Sequence, residues 1–420
     1  MAAHFRDHLY PLDHPRLARF RDCDPCSYVT ELRNDPLFDG VLTQWQHTFE
    51  TTRFAGISSD GVPRTDVFPY TPPEPADAAP AATAGEAALA LLACLDEDAR
   101  TTLSHPLDSR VWRAWMNPEI YLNRFGLRLE EVDEEVRARA LALLAASLSP
   151  TGYQEIRDVM AVNAFLGDLT QLPRLMNEFS YNINIFGTPS PTEPWGWNLW
   201  GHHLALNCLF IGSRQVLAPV FLGAEPNRID AGSRAGLRLF ADRENAGLAL
   251  ARSLTREQAE QAVLYQHKRD PAMPADRLHP GDELHLGGAF QDNRVIPYEG
   301  IAGKDLIAGQ RETLVELVAR FLGHLPEAAR RSRISEVRAH LDETRFCWIG
   351  GTGDDDPFYF RVQSPVVLIE YDHHAGMFLT NEEPQKFHTH TLVRIPNGND
   401  YGVELVRRAT GTPHLLDGPL

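Results

Sequence analysis

Cysteine is scarce in this chain, with five among 420 residues. So odd and sparse a count argues against a disulfide framework and for a reduced, cytoplasmic setting. Long apolar runs are missing too. No stretch reaches about 18 uninterrupted apolar residues, so no membrane span is expected, and Met1–His8 has no apolar run of signal-peptide type. Excess positive charge is absent: 40 Lys and Arg stand against 57 Asp and Glu, a formal net charge of -17. Phosphate backbones and anionic lipids repel such a chain, so nucleic acid and membrane are not expected partners.

Common catalytic signatures are also lacking. There is no Gly-x-Gly-x-x-Gly, no Walker loop, no His-Glu-x-x-His and no Gly-x-Ser-x-Gly. Gly350-Gly351-Thr352-Gly353 is glycine-rich, but Asp354, Asp355 and Asp356 follow it and would repel phosphate, which makes it a turn. Cys23-Asp24-Pro25-Cys26 has no second cysteine pair to complete a zinc site, so it reads as two ordinary thiols near a turn.

What is present is a chain with 43% hydrophobic residues, ample for a large core. Residues 54–63 read as a strand, an Asp-Gly turn and a second extended piece, and 71–85, rich in Pro and Ala, as a linker. Helices are predicted from 84 to 180. Ser149 serves as an N-cap before Pro150, and the next helix runs to about Leu169. Thr255 with Gln258 fits a capping box. Tyr181–Phe186 alternates like a half-buried strand. His203–Phe210 and Gln215–Phe221 form a hairpin, helices return at 242–266 and 304–342, and strands follow at 358–362, 366–372 and 388–394. Blocks of helix and strand without regular alternation indicate an α+β fold, a helical N-terminal half packed on an antiparallel sheet that carries the site. The organisation expected is an N-terminal extension over 1–50, one domain over 51–410 and a tail over 411–420.

Three segments carry chemistry. With strand alternation, His203 shares the polar face of its segment with Asn207, so His203 is the first-choice metal ligand and the neighbouring His202 ligates or gates. In the run Val366–Asp372, Glu370 and Asp372 end an apolar strand, where a carboxylate needs a partner or a cation. In the run His388–Arg394, His388, His390 and Arg394 share one face, and two histidines at i and i+2 form a metal half-site. A long hairpin between the last two segments would bring these groups together, with Asp400 ending the turn beyond. His373 and His374, adjacent and near a turn, are expected to be exposed, with an extension of the site as the alternative.

These stretches resemble a family of bacterial and fungal proteins catalogued as domain-of-unknown-function family 3500. The matching pieces are Phe54–Gly56 to Gly61–Pro63, Ser147–Tyr153, Trp195-Gly196-Trp197 with Gly201–Asn207, Leu368–Asp372, and His388-Thr389-His390 with Arg394 and Asn399–Gly402. The resemblance spans roughly 50 to 410 and implies one integral unit in which Gly-His-His, Glu-x-Asp and His-x-His travel together. Where the family commonly has Asn or Gln after the Glu-x-Asp, this chain has His373-His374.

The functional expectation is a metal-dependent hydrolase. A divalent ion, zinc first, would be held by His203, His388 and His390, with His202 as a further candidate. Glu370 or Asp372 would be the general base, Arg394 would hold an anionic group, and Trp195, Trp197, Asn207 and Asp400 would contact a small-molecule substrate. A non-haem iron or copper oxygenase is the alternative, since such ligands do not fix the metal. The third reading is a non-enzymatic binding protein. A homodimer is compatible with each.

Overall fold

The computed structural model describes residues 4–68, 80–411, 416 and 418. Most of the predicted linker and of the tail lies outside the described residues. Ala81 already belongs to a helix, which corrects the linker's end.

Helices α1 (Pro15–Ala18), α2 (Pro25–Leu32) and α3 (Pro36–Thr51) open the chain. Each starts on Pro, and the preceding His14, Asp24 or Asp35 side chain accepts from the first turn. Proline costs nothing there, because that N–H has no intrahelical partner. Cys26 is thus in the first turn of α2, and Cys23 and Cys26 are free thiols. Leu17, Phe20, Leu32, Leu42, Trp45 and Phe49 join the same core cluster as the sheet, so residues 4–51 are packed on the body of the molecule. The strand expected within 54–63 does not form. Ser58 instead makes an isolated parallel bridge to Val295, so this segment pairs far away in sequence.

The rest is built twice to one plan. The first half runs α4 (Ala81–Ala93), α5 (Glu97–Leu103), β1 (Ser104–His105), β2 (Leu127–Arg128), α6 (Glu134–Ser147), α7 (Pro150–Thr170), β3 (Tyr181–Phe186), β4 (Trp195–Gly201), β5 (Leu204–Ile211) and β6 (Arg214–Ala224). The second runs α8 (Ala241–Ser253), α9 (Arg256–Ala262), β7 (Val263–Tyr265), β8 (Ile301–Ala302), α10 (Ala308–Phe321), α11 (Glu327–Ala339), β9 (Arg345–Gly350), β10 (Phe358–Gln363), β11 (Leu368–His374) and β12 (Gln385–Arg394), and α12 (Val403–Thr410) closes the chain.

Pairing repeats as well. Each half is a four-stranded antiparallel meander, β3-β4-β5-β6 and β9-β10-β11-β12. On its outer edge β3 takes β1 in parallel and β2 antiparallel, just as β9 takes β7 and β8. Gly126 precedes β2 and Gly300 precedes β8, at φ 81° and 84°. A Cβ at either would overlap the carbonyl oxygen of the neighbouring strand, of Ile183 and of Phe346 respectively. Only glycine meets both demands. The meanders join through the antiparallel β6–β12 pair, where Val220 faces Val393. The helix joints also meet: Ser149, the N-cap of α7, donates its N–H to the His324 carbonyl and its hydroxyl to the Gly323 carbonyl at the α10–α11 joint.

The fold is therefore α+β, with two corrections. The sheet is mixed, because the two edge pairings are parallel, and helices lie in both halves. Tyr181–Phe186 is buried on both faces, and its alternation records a ladder of buried amides: Asn184 donates to Asn198, Asn198 to Asn207, and Asn207 to the Pro219 carbonyl. The predicted Thr255–Gln258 box is present.

Candidate metal centre

The site forms on the seam between the halves. β11 and β12 pair so that Asp372 faces His390, and on its other side His390 faces Gly223 of β6. His202 and His203 are the whole β4–β5 connection. They are not in a strand, and His203 has φ 59°. Its N–H donates to the Asn117 carbonyl and its carbonyl accepts from Gly223, so the turn is pinned over β6.

This brings together the three ring nitrogens predicted as ligands. His388 Nε2 is 3.1 Å from His390 Nε2, which is 3.1 Å from His203 Nε2. All three side chains are buried. Protons do not satisfy this arrangement. His388 Nδ1 is 2.6 Å from the Ala375 carbonyl oxygen, so it carries the proton and Nε2 is bare. His390 Nε2 can donate to that bare nitrogen, but it then has no lone pair to accept from His203. Charging a ring is opposed: burial first, then neighbouring imidazoles, holds His203 and His390 well below the ordinary histidine pKa, and burial brings His388 down to about 4. Neutral imidazoles converging through lone pairs are a metal-ligand arrangement. Two bonds of 2.0–2.1 Å at a tetrahedral angle put their nitrogens roughly 3.3 Å apart.

The surroundings are shaped to these rings. A Cβ at Gly223 would come to 2.7 Å from His203 Cδ2 and 2.8 Å from His390 Cδ2, so a side chain there would displace both. Glu225 accepts the N–H groups of Met377, Phe378 and Leu379, which fixes the loop whose Ala375 carbonyl orients His388. Burial pushes the Glu225 carboxyl up to about 7. His202 stacks on His203 at 3.9 Å between centroids, and its Nδ1 is bonded to Asn163.

The face of β11 and β12 also clamps a loop. Asp372 accepts the Leu284 N–H, Glu370 accepts those of Leu286 and Gly287, and Arg394 donates to the carbonyls of Gly287 and Gly288. The clamped segment contains His285, buried within 6.0 Å of the His390 ring between centroids.

These contacts reassign several predicted residues. Glu370 is spent on the loop and on the Tyr359 hydroxyl, and Asp372 on the loop and on Lys268. Arg394 is fully buried, held by Asp292, Asp400 and the two carbonyls, and does not line the cavity beside the cluster. Asp400 also accepts the Ile395 N–H. Trp195 and Trp197 are fully buried away from the cavity, Trp197 donating to Ser147, and Asn207 lies in the amide ladder. His373 and His374 are buried, against expectation, because β11 extends to His374. His373 accepts the Phe358 N–H, whereas His374 lies against His390 at 3.8 Å between centroids.

Sequence reasoning passed over His285, Glu225, Glu119, Glu283 and Gly223, and favoured an exposed position for His374. For His374 the signal was there: it continues the i, i+2 series Glu370, Asp372. His285 lies in an irregular loop and had none.

A cavity of about 420 Å³ opens beside the cluster, lined by His202, His203, His374, His388 and His390. α2 and α3 supply an apolar wall that includes Leu32, Leu42 and Trp45, and Glu119, Glu283, Arg16 and Arg269 are its charged groups. Glu119 accepts from the Tyr28 hydroxyl, and Glu283 from the Ala375 N–H.

Among the described residues, no helix is long and apolar enough to cross a membrane. Comparison with curated proteins and with solved structures returns no match. A family model described as "Protein of unknown function (DUF3500)" matches residues 77–403, which span both meanders and every histidine of the cluster, and the chain belongs to that family.

Proposed function

We propose that this protein is a metal-dependent enzyme, a hydrolase acting on a small organic substrate, with a divalent ion held by His203, His388 and His390. The observation that carries the reading is the convergence of three buried, neutral imidazole nitrogens that no placement of protons satisfies. An ion there supplies Lewis acidity and lowers the pKa of bound water. The three-imidazole set with an adjoining cavity suits zinc with an open position.

The chain supplies the remainder. Leu32, Leu42 and Trp45 exclude water from one wall and fit an apolar substrate body, while Arg16 and Arg269 offer guanidiniums to an anionic group. Glu119 and Glu283 border both histidines and cavity, so proton transfer falls to them and not to Glu370 or Asp372. Burial is the main cause that raises both carboxyls above the usual carboxylate range, the direction that favours holding a proton for transfer.

An all-imidazole set is also a copper set, and that donor chemistry favours an oxidoreductase as the second reading. Elemental analysis of protein purified without added metal separates the two by the element found. At least one equivalent is expected in the wild type, and less in His203→Ala and His390→Ala variants that keep the wild-type circular dichroism. A wild type that carries no metal and takes up neither added zinc nor copper would refute the proposal.

A further inference from the structure

We infer that the site is dinuclear: a second divalent metal ion is held by His285, Asp372 and His374, beside the first. This builds on the reading above, since both ions would share the wall where His374 and His390 lie 3.8 Å apart between ring centroids.

One ligand atom from each of the three residues lies within 4.8 Å of the other two, and all three are buried. Among the described residues, neither ring nitrogen of His285 has a hydrogen-bond partner, and the residue is 1% exposed. A buried imidazole with neither nitrogen satisfied is costly unless a ligand takes it. His374 Nε2 is 3.1 Å from Asp372 Oδ2, yet the two are not aligned as a hydrogen bond.

Lys268 is the obvious rival cation, but it takes the other oxygen, Oδ1. Asp372 Oδ2 accepts only the Leu284 N–H besides its contact with His374. Lys268 then orients the carboxylate as an outer partner orients a metal ligand. Local charge favours a further cation. Asp282, Glu283, Glu370 and Asp372 are carboxylates of this region, and Lys268 is a buried cation that meets Asp372 and, at 3.9 Å, Glu283, which the more exposed Arg269 also meets at 3.7 Å. Among the described residues, Asp282 Oδ1 and Glu283 Oε2 have no hydrogen-bond partner. The loop clamp also acquires a purpose. Glu370, Asp372 and Arg394 hold the backbone on both sides of His285, a heavy investment for a loop that would otherwise present only an unpaired ring.

The test is metal stoichiometry on the full chain, stripped with chelator, reloaded with Zn²⁺ alone, desalted and assayed by elemental analysis. The proposal expects about two equivalents in the wild type and about one in both His285→Ala and His203→Ala. His285→Gln, which keeps most of the side-chain volume, carries the test if His285→Ala fails to fold, with circular dichroism as the check. One equivalent in the wild type, unchanged in the His285 variants and lost in His203→Ala, would overturn the second ion and leave the first standing. Two equivalents in both wild type and His285→Gln would also overturn it, by placing the second ion elsewhere. Zero in the wild type would overturn both readings.

Discussion

The β1–β6 half and the β7–β12 half share element order, strand pairing and even the glycine before the short edge strand, but the second half holds most of the chemistry. The difference lies in the connections. β5 and β6 are joined by the two residues Gly212 and Ser213, while β11 and β12 are joined by 375–384, the loop whose Ala375 carbonyl orients His388. β1 and β2 are joined by 106–126, β7 and β8 by the longer 266–300, which contains His285 and its clamp. The first half contributes a different device: its β4–β5 connection is only His202-His203, tight enough to hang one imidazole over the seam. A repeated scaffold thus carries an unrepeated site, because strand pairing depends on backbone geometry whereas ligands depend on individual side chains and loop lengths.

The contrast can be broken experimentally, and the largest effect is expected at the seam. His390→Ala removes the ring that touches His203, His388 and His374, and should abolish metal loading at the first triad altogether, as measured by elemental analysis. A variant that retains wild-type loading would show that the three rings are not ligands. Gly223→Ala should keep the fold but lower metal affinity by roughly 10- to 100-fold, since its Cβ displaces the His203 and His390 rings, and a Zn²⁺ titration would read this.

The shared scaffold predicts paired effects. Gly126→Ala and Gly300→Ala should each cost about 2 kcal/mol or more in denaturant unfolding, from left-handed strain plus overlap with a carbonyl. Loss in one half alone would show that the halves are not equivalent in folding.

Acid should act on the cluster, to which the first half contributes His202 and His203 and the second half His374, His388 and His390. His202 is brought down to about 3 and His388 to about 4, with burial the leading cause, and His203, His374 and His390 lie well below their ordinary value. Folded pKa values below the unfolded value of about 6.5 mean that the unfolded chain binds protons first. The metal-free protein should therefore be most stable above pH about 6.5 and lose stability as pH falls toward 4 and 3, by up to about 1.4 kcal/mol per pH unit for each such histidine. Unfolding midpoints across that range check it, and a flat profile would contradict the neutral cluster. The smallest effect is Ser149→Ala at the meeting of the helix joints, about 1 kcal/mol for the lost cap to the Gly152 N–H.

Local signals in the sequence predicted local structure well. Ser149-Pro150, the Thr255–Gln258 box and the β5–β6 hairpin were legible because caps and tight turns are set by neighbours within a few residues. The pairing of Glu370-x-Asp372 with His388-x-His390 was legible from alternation. His203 emerged by a route the fold does not follow, since it belongs to a turn and not to a strand face. The partners of Glu370 and Arg394 were not legible, because they include the backbone of a loop about a hundred residues away in the chain. The doubled architecture was hidden because the halves share pairing and glycine placement without an obvious repeat of sequence.

The chain by itself determined where helices start, which runs are strands, and that histidines and carboxylates recur near positions 203, 370 and 390, since these follow from capping, periodicity and side-chain chemistry at short range. Only the tertiary structure decided which of them meet. The β6–β12 seam places His203 over His390, the clamped loop adds His285, and α2 and α3 wall the cavity. Such contacts depend on sheet register and loop closure over long separations, which no short window of sequence contains.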